Sequence, residues 1–457
     1  MSDAPVVVVG AGLAGARTCS ELRSQGFNGR IVMVGREGHS PYDRPPLSKS
    51  LLPHSAEMPE PPTVGIDLAP LDVDLRLSTV AVDLSTPEPG VPSAPETGRS
   101  ASSDWPGPVV RCADGTDVAA AAVVIATGAD PIVPSGWAGP PAVMTLRTFD
   151  DALTLRRRLA DPSVQHVTVV GGSWLGAEIT ALSHAELDTV RLVERDSWLL
   201  PALPPEPGRA IYSWFEAAGI QVTLGLSVDR VVELGSGARV ETVGESWDSD
   251  LVVAALGIRP ATEWLADSGL RRSRITGAVR VGPDLAASGH GVFGVGDAVE
   301  RWSTRYQSWL PGGHWQDALD EPVVVARSVI EWLAAAEEGA NWSGIISAGR
   351  RRTTAGYDAV PYFWSELFGR TLQWTGYLPD YHVARLVVRG NPSGDAWTMC
   401  WLDDDDGLQA VLSCGRPRDV VAARKLQAAD IRGLPRMDPR RLGDADTPIR
   451  EAQVRAQ

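Results

Sequence analysis

The sequence predicts an α/β protein in which two Rossmann-like dinucleotide-binding units precede a C-terminal α+β part. Three observations predict it. VVVVGAGLAG at 6–15 and VTVVGGSWLG at 167–176 each run a short apolar strand into a glycine turn and then a helix. AAVVIATGADP at 121–131 and DLVVAALGIRP at 250–260 echo each other, so both units close on a similar strand. From about residue 385, RLVVRG (385–390), WTMCWL (397–402) and LQAVLS (408–413) alternate as the strands of an antiparallel sheet do.

The elements follow in order. Strands at 6–9 and 31–34 flank a helix over about 13–25. Gly10, Gly12 and Gly15 form the G-x-G-x-x-G pattern. Glycine there permits a tight turn, close backbone approach to a pyrophosphate and close helix–strand packing, while the helix N-terminus faces the phosphates. Glu37 follows the second strand, where a carboxylate can take the ribose hydroxyls of an ADP group. SPYDRPPLSKSLL (40–52) reads as a proline-stiffened loop entering a helix, with Arg44 and Lys49 suited to an anionic or electron-rich ligand. STVAVDL (78–84) and VVRC (109–112) read as a hairpin interrupted by a Pro/Ser/Gly/Glu-rich insertion at 86–108. Strand VVIATG (123–128) ends the first unit.

In the second unit VRLVE (190–194) restates the second strand and its acid. GVFGVGDA (291–298) is a short strand ending in Gly296-Asp297, and 318–336 is an apolar helix. Asp403–Asp406 with Gly407 reads as a hairpin turn in preference to a calcium site. The arginine-rich tail from about 430 is expected to be poorly ordered.

Composition narrows the function classes. A chain of 457 residues implies two or three domains, and 44% hydrophobic with 22% charged residues is ordinary for a soluble globular protein. No apolar run is long enough to span a bilayer, and Met1 leads straight into strand-like sequence without a basic n-region, so the cytoplasm is the expected location. A net charge of −15 disfavours nucleic acid and anionic membranes as partners. Cysteines at 19, 112, 400 and 414 form no C-x-x-C pair, which argues against a disulfide framework, a zinc site and a thiol–disulfide relay. The only lysines are Lys49 and Lys425. Lysine can change charge state in a low-dielectric pocket where arginine stays charged, which singles out Lys49.

Five blocks carry a resemblance: GAGLAG (10–15), YDRPPLSKSLL (42–52), GGSWLGAE (171–178), GVGDA (294–298) and VPYFWSELFG (360–369). Together they resemble the FAD-dependent ferredoxin reductases, of the rubredoxin and putidaredoxin type, that serve bacterial oxygenases and haem monooxygenases. These form a branch of the two-dinucleotide-binding flavoprotein superfamily. The resemblance spans about 5–430 without the 86–108 insertion. It implies an FAD-binding domain split across 1–146 and 258–328, an NAD-binding domain at 147–257 and a C-terminal interface domain at 329–457. It implies that Gly10, Gly12, Ala14 and Gly15 hold the FAD pyrophosphate, Glu37 the adenosine ribose and Asp297 the ribityl chain. Lys49 would approach the flavin ring, paired with Glu178; these two are the expected catalytic residues. Trp315 would lie near the pyrimidine edge, and Leu175, Gly176 and Glu194 would hold the nicotinamide dinucleotide. Leu13, Arg44, Val80, Ala126, Thr127, Gly128, Gly171, Gly172, Gly257 and Gly296 complete the expected cofactor-binding set. No metal is expected.

The chemistry is consistent with those roles. An ammonium beside the flavin stabilises the anionic character that hydride arrival creates, and Glu178 would hold that lysine charged. Hydride transfer itself depends chiefly on positioning. A carboxylate ending the second strand, Glu194, accepts a ribose 2′-OH and repels a 2′-phosphate, so NADH is expected over NADPH, although Arg195 beside it could accept that phosphate. Three residues depart from the family pattern. Ser173 replaces a glycine and is expected to loosen approach to the NAD pyrophosphate. Arg36 stands where an acid is common and Asp130 where an arginine is usual, which suggests a compensating charge swap.

The reading that results is an enzyme passing a hydride from NADH to FAD and single electrons to a two-iron ferredoxin. One alternative is an NADH oxidase or small-molecule reductase without a protein acceptor. Another is an NADH-responsive interaction protein. A ferredoxin is typically acidic, so a local basic patch is expected; the candidates are Arg156–Arg158, Arg271–Arg274 and Arg350–Arg352, each of which reads more readily as a solvated helix or loop face. A monomer or homodimer is expected.

Overall fold

The computed structural model describes residues 4–50, 60–86, 107–187, 189–287, 291–337, 356–429 and 433–454. The chain divides into two compact units. One comprises Met1–Asp43, Pro61–Asp130 and Arg259–Asp358, and the other Arg44–Glu60, Pro131–Ile258 and Ala359–Gln457.

The first unit is built on a five-stranded parallel sheet in the order Val292–Gly294, Ala122–Ile125, Val6–Val9, Ile31–Val34, Val73–Arg76. Val6–Val9 and Ile31–Val34 are buried throughout, which is why they read as continuous apolar runs without alternation. Helix Leu13–Ser24 packs against helix Trp315–Glu337. The latter begins three residues before the expected 318, because the amides of Asp317 and Ala318 turn back onto the His314 carbonyl. A three-stranded antiparallel sheet joins Ala81–Ser85, Val109–Cys112 and Asp117–Ala119. The strand expected from 78 starts later because Ser78 adopts a left-handed φ of 51°, which an extended strand cannot contain. Most of the expected insertion, 87–106, lies outside the described residues.

The second unit contains another five-stranded parallel sheet, ordered Gln221–Leu224, Thr189–Glu194, His166–Val170, Leu251–Ala254, Val143–Met144. The loop expected at 40–52 forms a 3₁₀ turn at Pro45–Ser48, and the helix expected after it falls largely outside the described residues. The C-terminal sheet is antiparallel, ordered Tyr362–Leu367, Arg370–Gly376, Leu408–Cys414, Trp397–Leu402, Arg385–Gly390. Its turn at 403–407 is a hairpin closed by the Asp403 amide on the Gly407 carbonyl.

The tail departs from expectation. Residues 433–454 pack Met437, Leu442, Ile449 and Ala452 into one core with Cys400, Leu402, Leu408 and Val411. Arg389, fully buried, ties them down: its guanidinium donates to Asp419 and to the Leu442, Asp444 and Thr447 carbonyls. A buried cation with every face hydrogen-bonded is tolerated where an unpaired one is not. All four cysteines are buried free thiols. Among the described residues no helix is long and apolar enough to cross a membrane.

The first unit also buries a charge cluster of uneven sign. Arg301 lies 3.4 Å from Asp317 and 3.6 Å from Glu321, and Tyr357 donates its hydroxyl to Asp317 at 2.8 Å. Two buried carboxylates share one guanidinium, and desolvation holds the nearby His314 imidazole below its usual range, toward the neutral form. Burial and the neighbouring Asp317 push Glu321 up to about 8, with Arg301 and the Gly296 amide opposing and Asp297 adding to the rise. The native protein therefore keeps a proton that the unfolded chain loses near the ordinary carboxylate range, so this residue costs stability progressively as pH rises toward 8. We predict that Glu321→Gln changes thermal stability little at pH 5 and increasingly favours the variant by pH 8. A difference that stays constant across that range contradicts the assignment.

Candidate active site

In the first unit the glycine turn brings backbone against backbone. Gly10 has φ of 121°, and a Cβ there would stand 2.1 Å from the Ala126 carbonyl oxygen. A Cβ on Gly15 would stand 2.0 Å from the Gly10 oxygen, so the helix can sit this close only with glycine. Gly12, the N-cap, has open space where a side chain would be, and no acidic residue occupies the first turn of Leu13–Ser24. The first amides of such a helix lack intrahelical partners, so Gly12, Leu13, Ala14 and Gly15 form a cradle that fits a diphosphate.

Tyr42 donates its hydroxyl to Glu37. Ala126 donates its amide to the Val9 carbonyl, and the Thr127 hydroxyl donates to Ala261. Gly128, at φ of 68°, accepts the Ala261 amide. Asp297 lies in the 3₁₀ turn Gly296–Ala298, which Glu321 anchors by accepting the Gly296 amide at 2.7 Å. Trp315, 38% exposed, donates its indole N–H to Asp43 at 2.7 Å. Val80 is exposed. Arg36 and Asp130, the two residues of opposite sign to the family pattern, form an ion pair with each other.

The second unit repeats the turn. Gly171 has φ of 106° and lies against the Ala255 carbonyl, while a Cβ on Gly176 would stand 1.8 Å from the Gly171 oxygen. Ser173 is the N-cap of helix Trp174–Glu186, but its hydroxyl donates to the Ala255 carbonyl and leaves the helix's first amides uncapped. Leu175 is half-buried in the first turn. Glu194 is buried and fixed at the turn, accepting the Gly172 amide at 2.5 Å and the Asp196 amide at 2.8 Å. Arg195 instead points outward, its side chain 78% exposed and 3.8 Å from Asp196. Gly257, at φ of 99°, accepts the Ile132 amide.

Lys49 and Glu178 also meet in this unit. The Lys49 ammonium lies 3.0 Å from each Glu178 carboxylate oxygen, with Glu178 buried and Lys49 mostly so. Arg44 donates to the Arg147 carbonyl at 2.6 Å. Two partners of Glu178 were not foreseen. Ser48 donates to one carboxylate oxygen at 2.5 Å and Ser365 donates to the other, while Lys49 stands 5.0 Å from the Trp364 ring centroid. Ser48 and Ser365 both sit inside motif blocks, yet nothing in those blocks indicates which carboxylate they reach.

The expected basic patches fare unequally. Arg156 is buried and Arg158 donates to the Asp250 carbonyl, so that cluster leaves only Arg157 exposed. Arg272 donates to the Thr262 carbonyl, and 350–352 lie outside the described residues. Among the described residues no group of three or more histidines, cysteines and carboxylates could hold a metal ion.

Comparison with known proteins identifies the family. Residues 4–316 match the pyridine nucleotide-disulphide oxidoreductase family and 362–453 the reductase C-terminal domain. The chain is 26% identical over 453 residues to the ferredoxin–NAD(+) reductase subunit of the benzene 1,2-dioxygenase system of Pseudomonas putida, covering 98% of this chain and 97% of that protein. The crystal structure of Fdr9 superimposes with a TM-score of 0.78 at 32% identity, over 98% of this chain and 99% of the other. The ferredoxin reductase for the CYP199A2 system of Rhodopseudomonas palustris superimposes with a TM-score of 0.80 at 25% identity, over 98% and 100%. The chain belongs to the pyridine nucleotide-disulphide oxidoreductase family, with a reductase C-terminal domain following its two dinucleotide turns.

Proposed function

We propose that this oxidoreductase takes a hydride from NADH onto FAD and delivers single electrons to a two-iron ferredoxin that serves an oxygenase or haem monooxygenase. The observation carrying this reading is the end-to-end match to proteins named as ferredoxin–NAD(+) reductases, C-terminal domain included. The four cysteines support it: all are free and buried, and none forms the dithiol that a disulfide reductase needs.

In this reading bound FAD supplies the conversion of a two-electron hydride into single electrons. The residues at 1–146 and 258–328 hold it. Gly12 to Gly15 present backbone amides to its pyrophosphate, Glu37 takes the adenosine ribose, and Asp297 takes the ribityl chain from a turn that Glu321 anchors. The residues at 147–257 hold NADH. Glu194, pinned by two amides, presents a fixed negative charge to the adenosine ribose, while Arg195 faces solvent and pairs with Asp196. Lys49 is the positive charge that offsets charge arriving with the hydride, and Glu178 keeps that ammonium in place.

The reading is tested by cytochrome c reduction: fast turnover requires NADH and an added two-iron ferredoxin, and equally fast peroxide formation without ferredoxin overturns it. Lys49→Met is expected to slow bleaching of the bound flavin by NADH about 10²-fold, as loss of one electrostatic stabiliser does; stopped-flow absorbance reads it. Wild-type kcat/KM is expected to favour NADH over NADPH, and Glu194→Gln to narrow that preference about tenfold. Equal efficiency with the two nucleotides in the wild type contradicts the role of Glu194.

A further inference from the structure

The Glu178 carboxylate is held by more than its lysine. Four hydrogen bonds reach it: two from Lys49, one from the Ser48 hydroxyl on one oxygen and one from the Ser365 hydroxyl on the other. The donors come from the 3₁₀ turn Pro45–Ser48 with the residue after it, and from strand Tyr362–Leu367 far along the chain. Ser48 and Ser365 are both buried, 6% and 2% exposed. The strand carrying Ser365 is paired along its full length with Arg370–Gly376 and packs on helix Trp174–Glu186, where the Trp174 and Phe363 rings meet edge-on at 5.3 Å.

We infer that Ser365, together with Ser48, is a positioning residue for hydride transfer, fixing the plane of the Glu178 carboxylate so that both oxygens face Lys49. The terminal torsion of a glutamate is broad and roughly two-fold, so a lysine alone does not set it. One hydroxyl on each oxygen does, and each also leaves a lone pair of that oxygen for the ammonium. Trp364, next to Ser365, presents its ring toward the same ammonium, so one short strand of the reductase C-terminal domain orients the carboxylate and lines the cation. The C-terminal domain thereby contributes to the chemistry of the dinucleotide-binding part. This inference rests on the proposed role of Lys49.

A double-mutant cycle on the FAD-loaded full chain tests it, read by the flavin midpoint potential and by the stopped-flow rate of reduction by NADH. Ser365→Ala is expected to slow reduction about tenfold, the usual scale for losing one hydrogen bond to a charged group, and to lower the potential. In a Lys49→Met background the same substitution is expected to change either quantity less than about twofold, because a residue acting through Lys49 has nothing left to position. Ser365→Thr, which keeps the hydroxyl, is expected to restore both values. If Ser365→Ala fails to fold with FAD, Ser365→Cys keeps the size while weakening the donor and is carried through the same cycle. Equal effects of the Ser365 variant in both backgrounds overturn the positioning role. If Lys49→Met itself leaves rate and potential unchanged, the reading of Lys49 fails instead, and the two failures are distinguished.

Discussion

In each dinucleotide turn backbone packs on backbone, and most of what the protein can do depends on that contact. In each dinucleotide unit the helix after the turn crosses so near the strand end that a single methyl group at Gly15 or Gly176 would overlap a carbonyl oxygen. That crossing points the helix N-terminus at the crevice beyond the sheet, with its unpaired amides exposed to a ligand phosphate. The contact is steric, and its product is electrostatic. The parallel pairing of His166–Val170 with Thr189–Glu194 puts Glu194 beside the second turn, while Glu37 follows strand Ile31–Val34 in the first unit. Glu194 goes further and ties its own carboxylate to the turn by accepting the Gly172 amide.

A second theme is the placing of carboxylates. Glu178 and Glu321 are both buried glutamates, and their surroundings set them apart. Glu178 has an ammonium and two hydroxyls as hydrogen-bond donors. Glu321 shares one guanidinium with Asp317 and receives one amide, which leaves the cluster short of positive charge and raises its affinity for a proton. The first arrangement fixes the carboxylate against Lys49 with a hydroxyl on each oxygen. The second holds the Gly296 turn in place while remaining sensitive to pH.

Much of this was legible in the sequence, and the limits have physical causes. The turns at 10–15 and 171–176 were plain because steric exclusion leaves glycine as the only choice, and buried parallel strands announce themselves as runs of valine. The Lys49–Glu178 pair came from a resemblance, and the geometry brings the two together. The Arg36–Asp130 pair was suggested by two departures of opposite sign, and the structure joins them. Ser365 was hidden, because a serine in a strand carries no periodic signal and its partner lies 187 residues away. The ordered tail was hidden as well. Its few apolar residues, Met437, Leu442 and Ile449, are too sparse to read as an element, and its anchor, Arg389, belongs to a strand 53 residues before Leu442. Arginine runs misled in the opposite direction, since Arg156 turns out buried on the inward face of its helix.

If two-electron input leaves the protein as single electrons, the stoichiometry of ferredoxin reduction follows from it. The measurement is an anaerobic titration of a two-iron ferredoxin with NADH in the presence of catalytic amounts of the FAD-loaded protein, followed by the absorbance of the ferredoxin. The account predicts two ferredoxins reduced for each NADH consumed, with none reduced when the protein is left out. NADH that bleaches the flavin while the ferredoxin stays oxidised would contradict it.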